Sequence, residues 1–328
     1  MNRYNRGLAA VISLICLAFV VTACGSDSAK ESPKLKLGLV QSQDFIHAMP
    51  ARVAQAQGFF KDAGLDVTVV DFSAGSDLTK AMAGGTIQVG AATGLDAVSA
   101  AAHDIDIQAF YGVYGDSPMA LIVPTDSKIT GFKDLAGTKV GISRAGSLTD
   151  YITRAALTAV GVPVAKVTEV PLGDPGTTMA ALDRGDIDAF VLPVNFGYIE
   201  AAQGKGKVAQ LASDVLGKDS QFAILMAKQD YISANKANLE KLAAAYTKAI
   251  AWMKDNKDKT VALAVAKLGM PKPIAEKTYE GLVANFSSDG TLNAAGMAGY
   301  AKALPELGIA TSSPEESAYL STAIVPGR

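Results

Sequence analysis

Few residues in this chain can carry chemistry. There are two histidines, His47 and His103, and two cysteines, Cys16 and Cys24. No H-E-x-x-H, G-x-S-x-G or Walker loop occurs. Two histidines leave little for metal or nucleophilic work. The polar side chains read instead as binding groups, with no catalytic residue, metal ligand or cofactor expected. His47 can donate a hydrogen bond whether charged or neutral; the alternative is a histidine that ties down its loop. Ser147 and Thr149, with the backbone N–H groups beside them, are the best candidates for holding an anion. Arg144 could clamp a carboxylate with its fork, although a loop arginine is more often solvated.

The elements that must position these groups repeat. Gly64 to Val70, Ser73-Ala74-Gly75, Ala81 to Gly85 and Thr86 to Gly90 read as strand, loop, helix with a glycine stop, and strand. The scheme returns about a hundred residues later. Val167 to Val170 is a strand, Gly173 to Gly176 a loop, Ala180 to Gly185 a helix end, and Asp186 to Val191 a strand. Each copy is a βαβ unit, which implies parallel strands covered by helices. Each is preceded by a strand and helix: Leu35 to Val40 with Ala51 to Ala63, and Lys139 to Ser143 with Thr149 to Val160. The fold class is α/β, with two doubly wound lobes expected and a single large domain as the alternative.

Ligands of open α/β sheets sit beyond the carboxyl ends of the strands, at helix N-termini. That rule selects Gln41, Asp44, Phe45 and His47 after the first strand, Ser73, Ala74 and Gly75 after the second, and Thr93 after the third. In the second copy it selects Ser147, Thr149, Asn195 and Tyr198. Phe45, Tyr111, Tyr114, Tyr198 and Phe222 could wall an organic skeleton. For each serine or threonine the alternative is a helix cap, and for each aromatic it is core packing. His103 reads as a surface residue at a helix end. Leu239, Leu242, Tyr246, Ile250 and Met253 recur at helical spacing and read as core. Gly204-Lys205-Gly206 follows a helix, not a strand, and is no dinucleotide loop.

Arg3, Arg6 and the apolar run Leu8 to Val21 form a signal-peptide layout, too short for a membrane span. Val21-Thr22-Ala23-Cys24 resembles a bacterial lipoprotein box. Residues 1–23 are therefore expected to be removed, Cys24 to be lipidated, and 24–33 to be a flexible tether. The remaining fold then contains no thiol, which excludes cysteine nucleophiles, redox pairs and zinc–thiolate sites. The whole chain has 30 basic and 32 acidic side chains. Without Arg3 and Arg6 the balance becomes 28 against 32, or −4. Such a surface argues against nucleic acid.

Phe45 to Val67, Phe132 to Gly141 and Ser143 to Ser147 resemble the NMT1/THI5-like solute-binding family. The resemblance runs from about Leu35 to about Lys257. It implies a two-lobe periplasmic-binding-protein clamshell of type II, each lobe a mostly parallel sheet flanked by helices, hinged by two crossover strands. Those crossovers are expected near Met119 to Pro124 and Phe222 to Met226. Lobe one would be 35–122 plus 227–328, and lobe two 123–226. The implied role is the extracytoplasmic solute-binding component of an ABC importer. It would be a lipid-anchored monomer on the outer face of the cytoplasmic membrane or in the periplasm, with a permease as partner. A sulfonate or aromatic carboxylate is the expected ligand. A pyrimidine-type thiamine precursor or nitrate is the alternative, and a transporter-free sensor or a biosynthetic enzyme is the rival class. The family often has Glu-Pro where this chain has Leu192-Pro193, which removes a carboxylate and leaves Asn195 as a neutral donor.

Overall fold

The computed structural model describes residues 32–40 and 44–324. The expected leader, Cys24, most of the tether and Gln41 lie outside the described residues. Ten strands form two five-stranded sheets. The first contains β1 (Lys34–Val40), β2 (Asp66–Phe72), β3 (Val89–Thr93), β4 (Ile107–Tyr114) and β10 (Ala223–Lys228). The second contains β5 (Met119–Pro124), β6 (Lys139–Ile142), β7 (Thr168–Pro171), β8 (Ala189–Pro193) and β9 (Gly206–Leu211).

The strand orders are β2-β1-β3-β10-β4 and β7-β6-β8-β5-β9. They match position for position. β1 pairs in parallel with β2 and β3, as β6 does with β7 and β8. One strand in each sheet runs against the rest. β10 is antiparallel to β3 and β4, and β5 is antiparallel to β8 and β9. The two crossover segments named from the sequence contain these reversed strands. Pairing assigns all of β5 to the second sheet and all of β10 to the first. The chain therefore changes sheets over residues 115–118 and 212–222.

Ala223 sits opposite Thr93 and Tyr114, and Met119 sits opposite Pro193. Both passages between sheets thus run at the carboxyl ends of the parallel strands. That connectivity aims the two carboxyl edges at one another.

Local chemistry explains where elements depart from expectation. The first helix was expected from Ala51, yet it spans Phe45–Ala56 and carries Pro50 inside it. The Asp44 side chain accepts from the N–H groups of Ile46 and His47, which starts the helix early. β3 and β8 begin three residues later than expected. Thr86 turns back to Ala81 through both its N–H and its hydroxyl, so residues 86–88 finish the turn. The stripe Leu239, Leu242, Tyr246, Ile250 and Met253 is buried on the helix Lys236–Asp255.

A late segment docks on β4. The Gly112 N–H donates to the carbonyl of Gly290 at 2.8 Å, and a β-carbon at Gly112 would strike the Thr291 carbonyl oxygen. Gly299, inside the helix Ala294–Glu306, has open space at the same test. The two glycines should answer oppositely to alanine. Gly112→Ala should cost about 1–3 kcal/mol through overpacking. Gly299→Ala should add about 0.5–1 kcal/mol by restricting the unfolded chain. Denaturant unfolding of both variants checks this, and equal signs would contradict the packing described.

Candidate functional site

The edge of the first sheet is built around a buried acid–imidazole pair. One oxygen of Asp44, Oδ2, accepts from Ile46 N, from His47 N, and from His47 Nδ1 at 2.7 Å. Nδ1 therefore carries the shared proton. Asp44 is fully buried and His47 nearly so. Their other polar atoms, Asp44 Oδ1 and His47 Nε2, are buried without a hydrogen-bond partner. The His47 ring lies 5.0 Å from Phe222, which in turn packs edge-on against Tyr114. Phe286 closes the group, contacting both Tyr114 and Phe45. Burial pushes the Tyr114 hydroxyl up to about 12.

The edge of the second sheet carries hydroxyls and an amide. Ser143, Ser147 and Thr149 form a closed triangle with oxygen separations of 2.8–3.0 Å. Three contacts use three protons, so an incoming acceptor must turn one hydroxyl out of the ring. Ser147 also caps the helix Leu148–Ala159 through Asp150 N. Asn195 lies in the first turn of the helix Val194–Ala202. It is fully buried, and neither its Nδ2 nor its Oδ1 has a partner. Leaving such a group unmade costs about 1–3 kcal/mol. Among the described residues, buried orphan atoms thus lie at the facing edges: two on the Asp44–His47 pair, two on Asn195, and Ser117 Oγ in the passage between the sheets.

The remaining expected residues divide. Thr93 spends its hydroxyl in a capping box with Asp96, whose carboxylate accepts from both Thr93 N and Thr93 Oγ1. Gly75 lies against that same carboxylate, which would collide with any β-carbon there. Ala74 is buried and Ser73 is exposed. Tyr111 is a correction: it is a core residue and not a ligand wall. Its hydroxyl bonds Thr247 Oγ1 at 2.8 Å and its ring packs on Tyr246. The half-buried Tyr198 ring receives Lys277 Nζ at 4.2 Å, where the helix Lys272–Leu282 packs against Val194–Ala202. Arg144 is exposed, as expected of a loop arginine, and its guanidinium pairs with Asp77 across the two sheets at 2.8 Å.

The picture of open helix N-termini needs a correction too. Asp44, the Thr93–Asp96 box and Ser147 already occupy three of them, and Asp150 accepts from Gly146 N. Helices Gly75–Ala83 and Val194–Ala202 have no side-chain cap. Sequence reasoning passed over Ser143, Asp96, Asp150 and Phe286. The spacing Thr93-x-x-Asp96 is a capping-box signal that was there to be read. Phe286 had no local signal, since it arrives from far along the chain.

Two acids near this edge are forced to share. Arg154 binds Asp150 at 2.5 Å and Glu169 at 2.6 Å. Burial, then the proximity of Asp150, raises Glu169 to about 7. Burial, then Asp183, raises Glu200 to about 7 as well. Among the described residues no helix is long and apolar enough to cross a membrane, and no group of acids and histidines could hold a metal ion.

Comparison with known proteins agrees with this architecture. The model of the family described as NMT1/THI5 like matches residues 46–260. A protein of Escherichia coli (strain K12), provisionally assigned to aliphatic sulfonate binding, is 25% identical over 210 residues, 63% of this chain and 64% of its own. The taurine-binding periplasmic protein of that organism is 33% identical over 144 residues, 43% of each chain. The chain thus spans less than two thirds of either relative. The 4-amino-5-hydroxymethyl-2-methylpyrimidine phosphate synthase of Aspergillus parasiticus is 25% identical over 255 residues, 73% of each. Among solved structures, the periplasmic aliphatic sulphonate binding protein of Escherichia coli superimposes with a TM-score of 0.75. It has 19% identity and covers 90% of this chain and 94% of its own.

The raised carboxyls set a pH dependence. Folded Glu169 and Glu200 keep their protons to about 7, against an ordinary value of 4.5. Between those limits the folded state binds more protons than the unfolded one, so stability falls as pH rises and levels off above the window. Each group contributes on the order of 1–3 kcal/mol to that fall. Glu200→Gln, which keeps the shape, should flatten the slope from pH 5 to pH 8 in urea unfolding. An unaltered slope would refute the assignment.

Proposed function

The chain belongs to the NMT1/THI5-like family, and from that premise we propose that it is the extracytoplasmic solute-binding component of an ABC importer. It captures a small organic anion, a sulfonate or aromatic carboxylate, between two lobes built on the two sheets, and releases it unchanged to a permease. The observation that carries this reading is the set of buried, partnerless polar atoms at the facing strand ends. Asn195 Nδ2 can donate to ligand oxygens, His47 Nε2 can do so when the ring carries both protons, and the hydroxyls of Ser147 and Thr149 can open to do the same. Phe222, Tyr114 and Phe45 supply an apolar wall. The sulfonate and taurine relatives favour the same class.

A second reading has its own support. Asp44 Oδ1 is a buried acceptor without a donor, which suits a ligand bearing N–H groups. An aminosulfonate would satisfy both ends of the site. So would an aminopyrimidine, the class named in the fungal relative. An enzyme remains the weaker rival, since the sulfonate and taurine relatives are binding proteins by name. The molecule acts as a monomer, needs no cofactor and binds no nucleic acid. Lipidation of Cys24 would hold it at the outer face of the cytoplasmic membrane.

Ligand closure shifts an equilibrium only by the difference in affinity for the two states. Thermal unfolding of the part from residue 32 onward, with taurine, butanesulfonate, benzoate, nitrate and an aminopyrimidine, identifies the class. The true ligand in large excess should add roughly 3–4 kcal/mol. Asn195→Leu should abolish that gain while leaving the ligand-free protein as stable or more so, since an orphan amide is gone. If Asn195→Leu and His47→Gln both respond like the parent, the proposed site is wrong. In the full chain, Cys24→Ser should move the protein from the membrane fraction to the soluble one. Retention in the membrane would remove the lipid anchor.

A further inference from the structure

A second space borders the loops that follow β2, β3 and β6. A cavity of about 480 Å³ sits where the helices Gly75–Ala83 and Gly94–Ala102 of the first sheet face the helix Leu148–Ala159 of the second. None of Asp44, His47, Tyr114, Ser147, Asn195 or Phe222 lines it. Its size falls within the range of small-molecule sites, about 300–1,000 Å³.

The charges around it are unevenly spent. Arg154 is committed to Asp150 and Glu169. Asp150 accepts from Gly146 N and Arg154, and Asp96 accepts twice from Thr93. Lys80 is different: among the described residues its ammonium has no ion-pair partner. Lys80 and His103 are both exposed at the rim. His103 gives Nδ1 to the Ser99 carbonyl at 2.7 Å, so its Nε2 donates when the ring carries both protons. Ser76 and Ser99 add hydroxyls, and Ala100, Ile105, Ala145 and Ile309 add apolar surface to the same lining. A cation, hydroxyls and hydrocarbon around one cavity match a small monoanion with an apolar body.

We propose that this seam cavity, lined by Lys80, His103, Ala145 and Ile309 among others, is a second binding site for a small organic monoanion. Because its walls come from helices of both sheets, occupancy stabilises the arrangement in which those helices meet. It is thereby linked to the strand-end groove, and the linkage is reciprocal.

The two histidines make the test direct, since each marks one site. Proton–carbon correlation spectra of the imidazole Cε1–H groups are recorded while benzoate, and separately the neutral benzamide, is titrated in. The His103 signal should move saturably with benzoate and not with benzamide. Lys80→Ala should weaken that response about tenfold and leave the ligand-free His47 signal in place, while Lys80→Arg restores it. The proposal falls if the His103 shift does not saturate, if benzamide does as well, or if Lys80→Ala changes nothing. Movement of His47 alone would leave the groove reading standing and remove the seam site. Saturable movement of His103 alone would do the reverse for benzoate.

Discussion

The architecture depends on two reversed strands. β5 and β10 each enter a sheet antiparallel to its other members, and each begins at the carboxyl end of its neighbours. A strand that starts at that edge forces the chain to cross there. Both crossings do so, and the result is that the loops after β1, β3, β6 and β8 meet in one region. Functional side chains on those loops need no further device to converge.

At that meeting place the chain has largely satisfied its own helix ends. Carboxylates and hydroxyls cap three of the helices that point inward. The dipole and open N–H groups, which would make any such edge attractive to anions, are therefore partly spent. What remains unspent is specific: an amide, a ring nitrogen and one carboxylate oxygen. Burying a polar group without a protein partner costs free energy. On the proposed reading, a bound molecule completes these.

Among the described residues, the polar and ring contacts between the two halves are modest: the Arg144–Asp77 pair, the edge-on rings of Tyr151 and Tyr300, Arg154 with the Leu307 carbonyl at 3.4 Å, and Lys277 over Tyr198. The helices Lys272–Leu282 and Val194–Ala202 pack against each other as well. Part-exposed ion pairs contribute about 0–1 kcal/mol. On the proposed reading, contacts this weak let a ligand that touches both sheets bias how they meet. Of these contacts, Arg154 also lines the seam cavity.

Much of the fold was legible in the residues. The near-repeat showed two copies of one scheme, the strands gave alternating short apolar runs, and the stripe from Leu239 to Met253 marked a core helix. Local pattern was sufficient there because burial of each element follows its own periodicity. The candidate site was legible only in part. His47 and Asn195 were named by their place after strands, and the structure leaves them buried with unpartnered atoms, whereas Tyr111, named on the same grounds, packs into the core. Which aromatic faces a groove and which faces Thr247 depends on the helix packed behind it, and that helix lies 136 residues away. Phe286 and the seam cavity follow the same rule. Sequence determined the elements and their order, because those answer to neighbours in the chain. Tertiary structure alone decided which polar atoms were left without partners, because that depends on every segment that comes to rest against them.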